Sequence, residues 1–135
     1  SAPEYLTFRA STHDISPDGR WLAYADAGIN VRPLPAGDRV EKISDTGTEP
    51  KWCRKCDELF FRNGNRWFSA PVRLGPVFEW KPSRFILRID FNDSPGPSFA
   101  VSPDGQRILV AKRRQDLPRT TLHVLHGWLA DVAAK

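Results

Sequence analysis

Residues 16–25 read Ser-Pro-Asp-Gly-Arg-Trp-Leu-Ala-Tyr-Ala, and residues 102–111 repeat this pattern as Ser-Pro-Asp-Gly-Gln-Arg-Ile-Leu-Val-Ala. In both copies the proline presets φ for a tight turn, the aspartate can bond nearby backbone amides, and the glycine accepts a positive φ. An apolar strand follows each turn, and a short, partly apolar segment precedes it. The pattern therefore predicts a β-hairpin at each copy.

A third, degenerate copy lies at residues 52–61, where Cys53-Arg54-Lys55-Cys56 takes the place of Ser-Pro-Asp-Gly. When Cys53 is aligned with Ser16 and Ser102, the spacings are 37 and 49 residues, with a mean of 43. A four-stranded propeller blade repeats every ~40–45 residues. The spacing therefore predicts an all-β chain of three four-stranded antiparallel blades.

Twelve Pro and nine Gly divide the chain into short segments, so we expect short strands and no long helix. We expect one domain, residues 1–135, with blades near residues 10–47, 48–96 and 97–135. Residues 4–9 alternate and predict an extra or closing strand, and residues 128–135 favour a short helical turn. The other predicted strands are 13–15, 21–25, 30–34, 39–43, 49–52, 59–62, 66–72, 77–81, 85–91, 99–101, 107–112 and 121–126.

The hairpin at residues 16–24 resembles the repeat of TolB-type (WD40-like) β-propellers. Residues 44–135 look like the last two blades of propellers attached to bacterial serine/threonine kinases and adenylate-cyclase-like regulators. The matching stretches are residues 49–52, 58–64, 99–107 and 122–128. The resemblance implies a bacterial scaffold for protein or peptide interaction, although the middle turn departs from the family's pattern.

Three blades cannot close a ring, because propellers usually have 4–8. The chain is then either a piece of a larger propeller or a natural half that pairs with itself. We favour a homodimer, in which two copies form a six-bladed ring around a two-fold axis and cover both open faces. A protein or peptide partner would bind to that assembly.

No known catalytic motif is present: there is no Gly-x-Ser-x-Gly elbow, no kinase glycine loop and no His-Arg-Asp segment. His13, Asp14 and Ser16 lie close together in sequence, but adjacent residues of a strand point to opposite faces. We therefore expect neither an enzyme nor a cofactor.

Cys53 and Cys56 form the one motif with a recognised chemical spacing. We favour a structural pair, as free thiols or as a turn disulfide. A metal site would need two more ligands, and His123 and His126, three apart in a predicted strand, point to opposite faces. A redox pair would need a lowered thiol pKa, to which the neighbouring basic residues could contribute. The alternative function is therefore a small-ligand or metal-binding domain that uses these cysteines or the propeller channel.

Most of the five Trp are expected in cores between blades. Trp67 with its neighbour Arg66, and Trp80 with its neighbour Lys81, are the candidates for partner binding, because Trp and Arg often dominate interface energies.

The charge is uneven, with a net of −3 over residues 1–50 and +7 over residues 51–135. The sequence pI of 9.4 would fit nucleic-acid binding, but the basic residues are spread over many strands, so we expect none. No apolar run reaches the ~18–20 residues of a membrane helix, so we expect no membrane partner. Two cysteines fit a reduced cytosol or one exported disulfide, and we slightly favour a cytoplasmic location.

Overall fold

The computed structural model of the chain describes residues 12–35, 37, 39–89, 99–113 and 120–126. None of these residues lies in a helix, and they form twelve strands, so the prediction of an all-β chain is confirmed. The strands are β1 (His13–Ile15), β2 (Trp21–Ala25), β3 (Ile29–Pro33), β4 (Glu41–Ser44), β5 (Thr48–Trp52), β6 (Glu58–Asn63), β7 (Arg66–Arg73), β8 (Glu79–Trp80), β9 (Arg84–Arg88), β10 (Phe99–Val101), β11 (Arg107–Arg113) and β12 (Thr120–His126).

The strands form three antiparallel sheets. Sheet 1 has the order β1-β2-β3-β4, sheet 3 has the order β10-β11-β12, and sheet 2 has the order β5-β6-β7-β8 with β9 also paired to β7. The predicted strand bounds agree with the observed ones within one to three residues where both lie in the described chain. The predicted strand at residues 4–9 and the helical turn at residues 128–135 lie outside the described residues.

The three sheets share two apolar cores. The first core combines side chains of sheets 1 and 2, and the second combines side chains of sheets 2 and 3. Successive side chains of a strand point to opposite faces, so sheet 2 supplies both cores. In β6, Leu59 and Phe61 enter the first core, and Phe60 between them enters the second. The first strand of sheet 2, β5, contacts β1 and β2 on one side and β10 on the other.

The turns of the three repeat copies share one backbone bond. The amide of the first residue donates to the carbonyl five residues later, at 2.8 Å for Ser16, 3.0 Å for Cys53 and 2.9 Å for Ser102. The middle segment is thus a structural equivalent of the other two turns, as the sequence alignment predicts. It differs in how its side chains close the turn.

Two turns are closed by a serine and an aspartate. The Ser16 hydroxyl donates to Asp18 Oδ1 at 2.6 Å and accepts from the Trp21 amide at 3.0 Å. The Ser102 turn repeats both bonds, at 2.6 and 3.0 Å. Gly19 and Gly105 complete the two turns with φ of 75° and 74°, values that residues other than glycine rarely adopt.

The predicted hairpin at Asn63-Gly64 is also present, joining β6 to β7. Asn63 pairs with Arg66, so the two turn residues are Gly64 and Asn65, one position later than the Asn-Gly pair itself. Gly64 has a φ of 63°, the positive value that a type II′ turn needs at its first central position.

Candidate functional site

A groove of about 360 Å³ lies at one end of sheet 2 and is the candidate functional site. It forms where β8 pairs with the end of β7, bringing Trp80 opposite Val72. The amide of Lys81 donates to the carbonyl of Pro71 at 2.9 Å, which holds the chain against β7 beyond the short strand. The lining residues are Asp57, Pro71, Val72, Arg73, Glu79, Trp80 and Lys81.

The loop before β8 is anchored in the first core, which fixes the wall of the groove. Phe78 is buried, with its ring centroid 5.4 Å from that of Trp21 and 6.0 Å from that of Trp52. The indole Nε1 of Trp21 also donates to the carbonyl of Gly75 at 3.2 Å. Sheet 1 therefore supports the loop that carries Trp80.

The groove combines an aromatic surface with charges of both signs. Trp80 is half-buried and packs against the first core. Arg73 and Glu79 form a loose ion pair at 3.7 Å between two exposed side chains, which contributes at most about 1 kcal/mol. Asp57 and Lys81 are both exposed at the groove. The groove can therefore contact an apolar group while presenting a carboxylate and an ammonium.

Two of the four predicted partner-binding residues line this groove, and two do not. Trp80 and Lys81 belong to it, whereas Arg66 and Trp67 begin β7 at the opposite end. Arg66 is exposed, but it lies five residues, or about 16 Å of extended strand, from Pro71.

Trp67 belongs to the second core. Its side chain is fully buried, with its ring 5.9 Å from that of Phe99 in an edge-to-face arrangement. A partner cannot reach the indole in this position, so the surface proposed below does not include Trp67. The alternation of β7 explains the placement, because Trp67 and Ser69 face sheet 3 while Ala70 and Val72 face sheet 1.

Sequence reasoning did not identify Asp57, Arg73 and Glu79 as groove residues. Asp57 follows the Cys53–Cys56 turn. Arg73 is the last residue of β7, and Glu79 is the first residue of β8, after the intervening loop. The cross-strand pairs of β7 and β8, Arg73 with Glu79 and Val72 with Trp80, bring them together. Only the register of β7 with β8 places these residues together, and the sequence of the five-residue loop between the two strands does not indicate that register.

The two cysteines form a disulfide, with the Cα atoms 5.3 Å apart. It lies at the positions that serine and glycine occupy in the other turns. Because both sulfurs are bonded to each other, neither is a thiolate available to a metal. Among the described residues, no group of three or more His, Cys, Asp or Glu side chains is placed to hold a metal ion.

His13, Asp14 and Ser16 do not form a catalytic arrangement. Asp14 accepts hydrogen bonds from the Trp52 amide and from Arg54, and Ser16 closes its own turn with Asp18. The two side chains therefore serve different local structures.

The outer face of sheet 1 is the second candidate surface. Ile15, Trp52 and Val101 each hold the position just before a repeat turn. Trp52 packs in the first core and Val101 packs against the second, in each case with the preceding sheet. Ile15 has no preceding sheet in the described chain and is 49% exposed, although its cross-strand neighbour Leu22 is only 3% exposed.

Comparison with family models, with curated proteins and with solved structures gives no match for this chain. Among the described residues, no helix has the length and apolar character needed to cross a membrane.

Proposed function

We propose that this chain is a non-catalytic interaction module of the TolB-type β-propeller class, which pairs with a second copy and binds a protein or peptide partner. The groove beside Trp80 carries the partner-binding part of the proposal. Its volume lies in the range of ligand pockets, about 300–1,000 Å³, and its aromatic wall suits a short peptide segment.

The stacking of the sheets supports the propeller assignment. Three successive antiparallel sheets pack face to face, and the first strands of neighbouring sheets, β1 with β5 and β5 with β10, lie against each other. Blades of a propeller pack in this way, with their first strands around the central channel. The repeated turn at the same position of each sheet is a further feature of this class.

The exposed Ile15 supports the pairing of two copies. Its equivalents in the next two sheets, Trp52 and Val101, are each covered by the preceding sheet. By analogy with these positions, we expect another sheet to cover Ile15. In the proposed dimer, sheet 3 of the second copy covers this face, because no described sheet packs after sheet 3 in its own chain. Two such contacts around a two-fold axis would give a closed ring of six sheets.

The pairing is tested by light scattering on a sizing column. We expect a mass of twice 15.3 kDa for the unchanged chain and a monomer for Ile15→Lys. Val40→Lys is the matched control, because Val40 is 47% exposed but precedes β4 at the other edge of sheet 1. A monomeric unchanged chain, or a dimer that survives Ile15→Lys, would refute pairing through this face.

Partner binding is tested with a panel of fluorescent synthetic heptapeptides of mixed charge, measured by polarisation. We expect some peptides to bind, and Trp80→Ala and Lys81→Ala to weaken that binding by about tenfold or more. Val40→Ala should leave it unchanged. If no peptide binds, or if the Trp80 variant binds as well as the unchanged chain, the groove is not the partner site.

A further inference from the structure

The Cys53–Cys56 turn contacts both neighbouring sheets. On the sheet 1 side, Arg54 donates to the Ile15 carbonyl at 3.2 Å and to Asp14 Oδ1 at 3.1 Å. On the sheet 3 side, the Lys55 amide donates to the Pro103 carbonyl at 2.8 Å. This four-residue turn is therefore a junction among all three sheets.

The disulfide itself lies against the turn of sheet 3. The sulfur of Cys53 is 3.1 Å from the Pro103 carbonyl oxygen. A Cβ placed on Gly105 would lie 2.7 Å from the Cys56 sulfur and 3.2 Å from the Cys53 sulfur, so the glycine allows the two turns to pack directly together. A change in the disulfide therefore alters the contact between sheets 2 and 3.

The two sulfurs differ in their access to solvent. Cys53 is only 2% exposed and belongs to the second core, whereas Cys56 is half-buried and packs against the edge of that core. Arg54 and Lys55, between the two cysteines, are both exposed, but Arg54 is paired with Asp14 and the Glu58 carboxylate lies 3.9 Å from the Cys56 sulfur, so the charge around the turn is mixed. Because Cys56 is the more accessible of the two sulfurs, an incoming thiolate reaches it more easily than Cys53.

We propose that Cys53–Cys56 is a thiol–disulfide exchange site, at which a dithiol reductant attacks the sulfur of Cys56 and so weakens the contact between sheets 2 and 3. The proposal is independent of the partner-binding function, because none of its residues lines the groove.

The exchange proceeds in two balanced steps. A thiolate of the dithiol forms a bond to Cys56 Sγ, the bond between the two cysteine sulfurs breaks, and Cys53 leaves with the electron pair and takes up a proton. The second thiolate of the dithiol then attacks the dithiol's other sulfur, which is bonded to Cys56 Sγ in the mixed disulfide. That bond breaks, and Cys56 leaves with the electron pair and is protonated in turn. The protein disulfide is reduced by two electrons and the dithiol is oxidised to its disulfide.

An acceptor for the reduced product is already in place. In the disulfide, the Cys53 sulfur lies 3.1 Å from the Pro103 carbonyl oxygen, to which the thiol released by reduction can donate. The turn, however, loses its covalent closure and has no serine–aspartate bond to replace it, unlike the turns at Ser16 and Ser102. Reduction should therefore loosen this turn and leave the other two unchanged.

The attack is tested with the monothiol glutathione, whose first attack forms a mixed disulfide. Rapid acid quenching traps this adduct before a second glutathione or Cys53 can displace it, and peptide mass spectrometry locates it. We expect the adduct on Cys56 in about tenfold excess over Cys53. An adduct mainly on Cys53, or equal amounts on both, would overturn the assignment of the attacked sulfur. If the disulfide reacts only after the protein is unfolded in denaturant, there is no exchange site.

The effect on the sheets is tested by hydrogen exchange of the folded chain before and after reduction with dithiothreitol. We expect faster exchange at the Lys55 amide, which bonds Pro103, and unchanged exchange at the Gly19 amide in the sheet 1 turn. Cys53→Ser/Cys56→Ser should show the reduced pattern with and without dithiothreitol. If reduction leaves the exchange of Lys55 unchanged, the disulfide does not control the contact between the sheets.

Discussion

Asp14 holds Trp52 at two points. Its carboxylate accepts a hydrogen bond from the Trp52 backbone amide at 2.9 Å, and its own carbonyl accepts one from the indole Nε1 at 2.9 Å. The same carboxylate accepts from Arg54 in an ion pair of 3.1 Å. One aspartate of sheet 1 therefore positions both the last residue of β5 and the turn that follows it.

Replacing Asp14 should destabilise the contact between sheets 1 and 2. Asp14→Ala leaves the amide of Trp52, a buried residue, without its acceptor, and we expect a loss of about 1–3 kcal/mol in the free energy of unfolding. Urea denaturation followed by tryptophan fluorescence measures the loss. Asp45→Ala, at an exposed position, is the control and should change the stability little. Equal stability of the two variants would show that the Asp14 bonds do not hold the sheets together.

Gly105→Ala and Gly19→Ala form a matched pair that separates backbone strain from packing. Both glycines occupy the same turn position, with φ of 74° and 75°, so both variants carry the cost of a left-handed residue, about 1–2 kcal/mol. The Gly19 Cβ would meet no atom within 4 Å, whereas the Gly105 Cβ would lie 2.7 Å from the Cys56 sulfur. We expect thermal unfolding to show at least about 1 kcal/mol more destabilisation for Gly105→Ala. Similar losses in both variants would mean that the disulfide does not pack on this turn.

The two turn aspartates should make stability depend on pH in acid. Burial acts to raise the pKa of Asp18, but the hydrogen bonds from Ser16 and the Arg20 amide, with the Arg20 charge, outweigh it and lower the pKa below 3.8. For Asp104 the hydrogen bond from Ser102 is the main cause of a lowered pKa, followed by the amide of Gln106.

A carboxyl group whose pKa is lower in the folded state contributes stability that is present above its unfolded pKa, about 4, and is lost as the pH falls through the folded value. We expect urea midpoints of the unchanged chain to exceed those of Asp18→Asn/Asp104→Asn at pH 6. The difference should shrink steadily below about pH 4. A difference that stays constant down to pH 2 would contradict the lowered pKa values.

Glu49 and Arg62 form a buried ion pair across β5 and β6. Arg62 donates to Glu49 Oε1 from Nε at 2.8 Å and from Nη2 at 2.6 Å, and both residues are less than a tenth exposed. Glu49→Ala should cost about 3–5 kcal/mol, because a buried guanidinium loses its counter-charge. Chemical denaturation of Glu49→Ala/Arg62→Met should recover part of that loss. A double variant less stable than Glu49→Ala would show that Arg62 contributes mainly through its other contacts.

The strands could be predicted from local chemistry because each turn signal is contained in four residues. Ser16 to Gly19 encode a complete turn, with its proline, its aspartate and its positive φ, and β2 follows directly. The residue pattern in β6 and β7 predicts that these segments are strands, but it does not distinguish a half-exposed tryptophan from a buried one. Trp67 and Trp80 both stand beside a basic residue, and only the packing of sheet 3 on sheet 2 separates them.

The groove could not be predicted, because its residues come from three places in the chain. Asp57 follows a turn, Arg73 ends β7 and Glu79 begins β8, and their neighbourhood depends on a loop whose conformation is set by Phe78 in the first core. The Glu49–Arg62 pair was missed for a similar reason. It depends on the irregular pairing of β5 with β6 and on a positive φ of 53° at Glu49, which the sequence does not signal.

Because β6 is apolar on both faces, hydrophobicity alone does not fix which residue of this strand faces which neighbour. A slip of one residue would exchange Phe60 and Phe61 between the two cores at little cost in buried area. The polar ends of the strand remove this ambiguity: Arg62 is held by Glu49, and Glu58 accepts from Ser69 and Arg84. The charged residues of sheet 2 thus act as alignment marks, which give the strand a unique register that its aromatic centre does not encode.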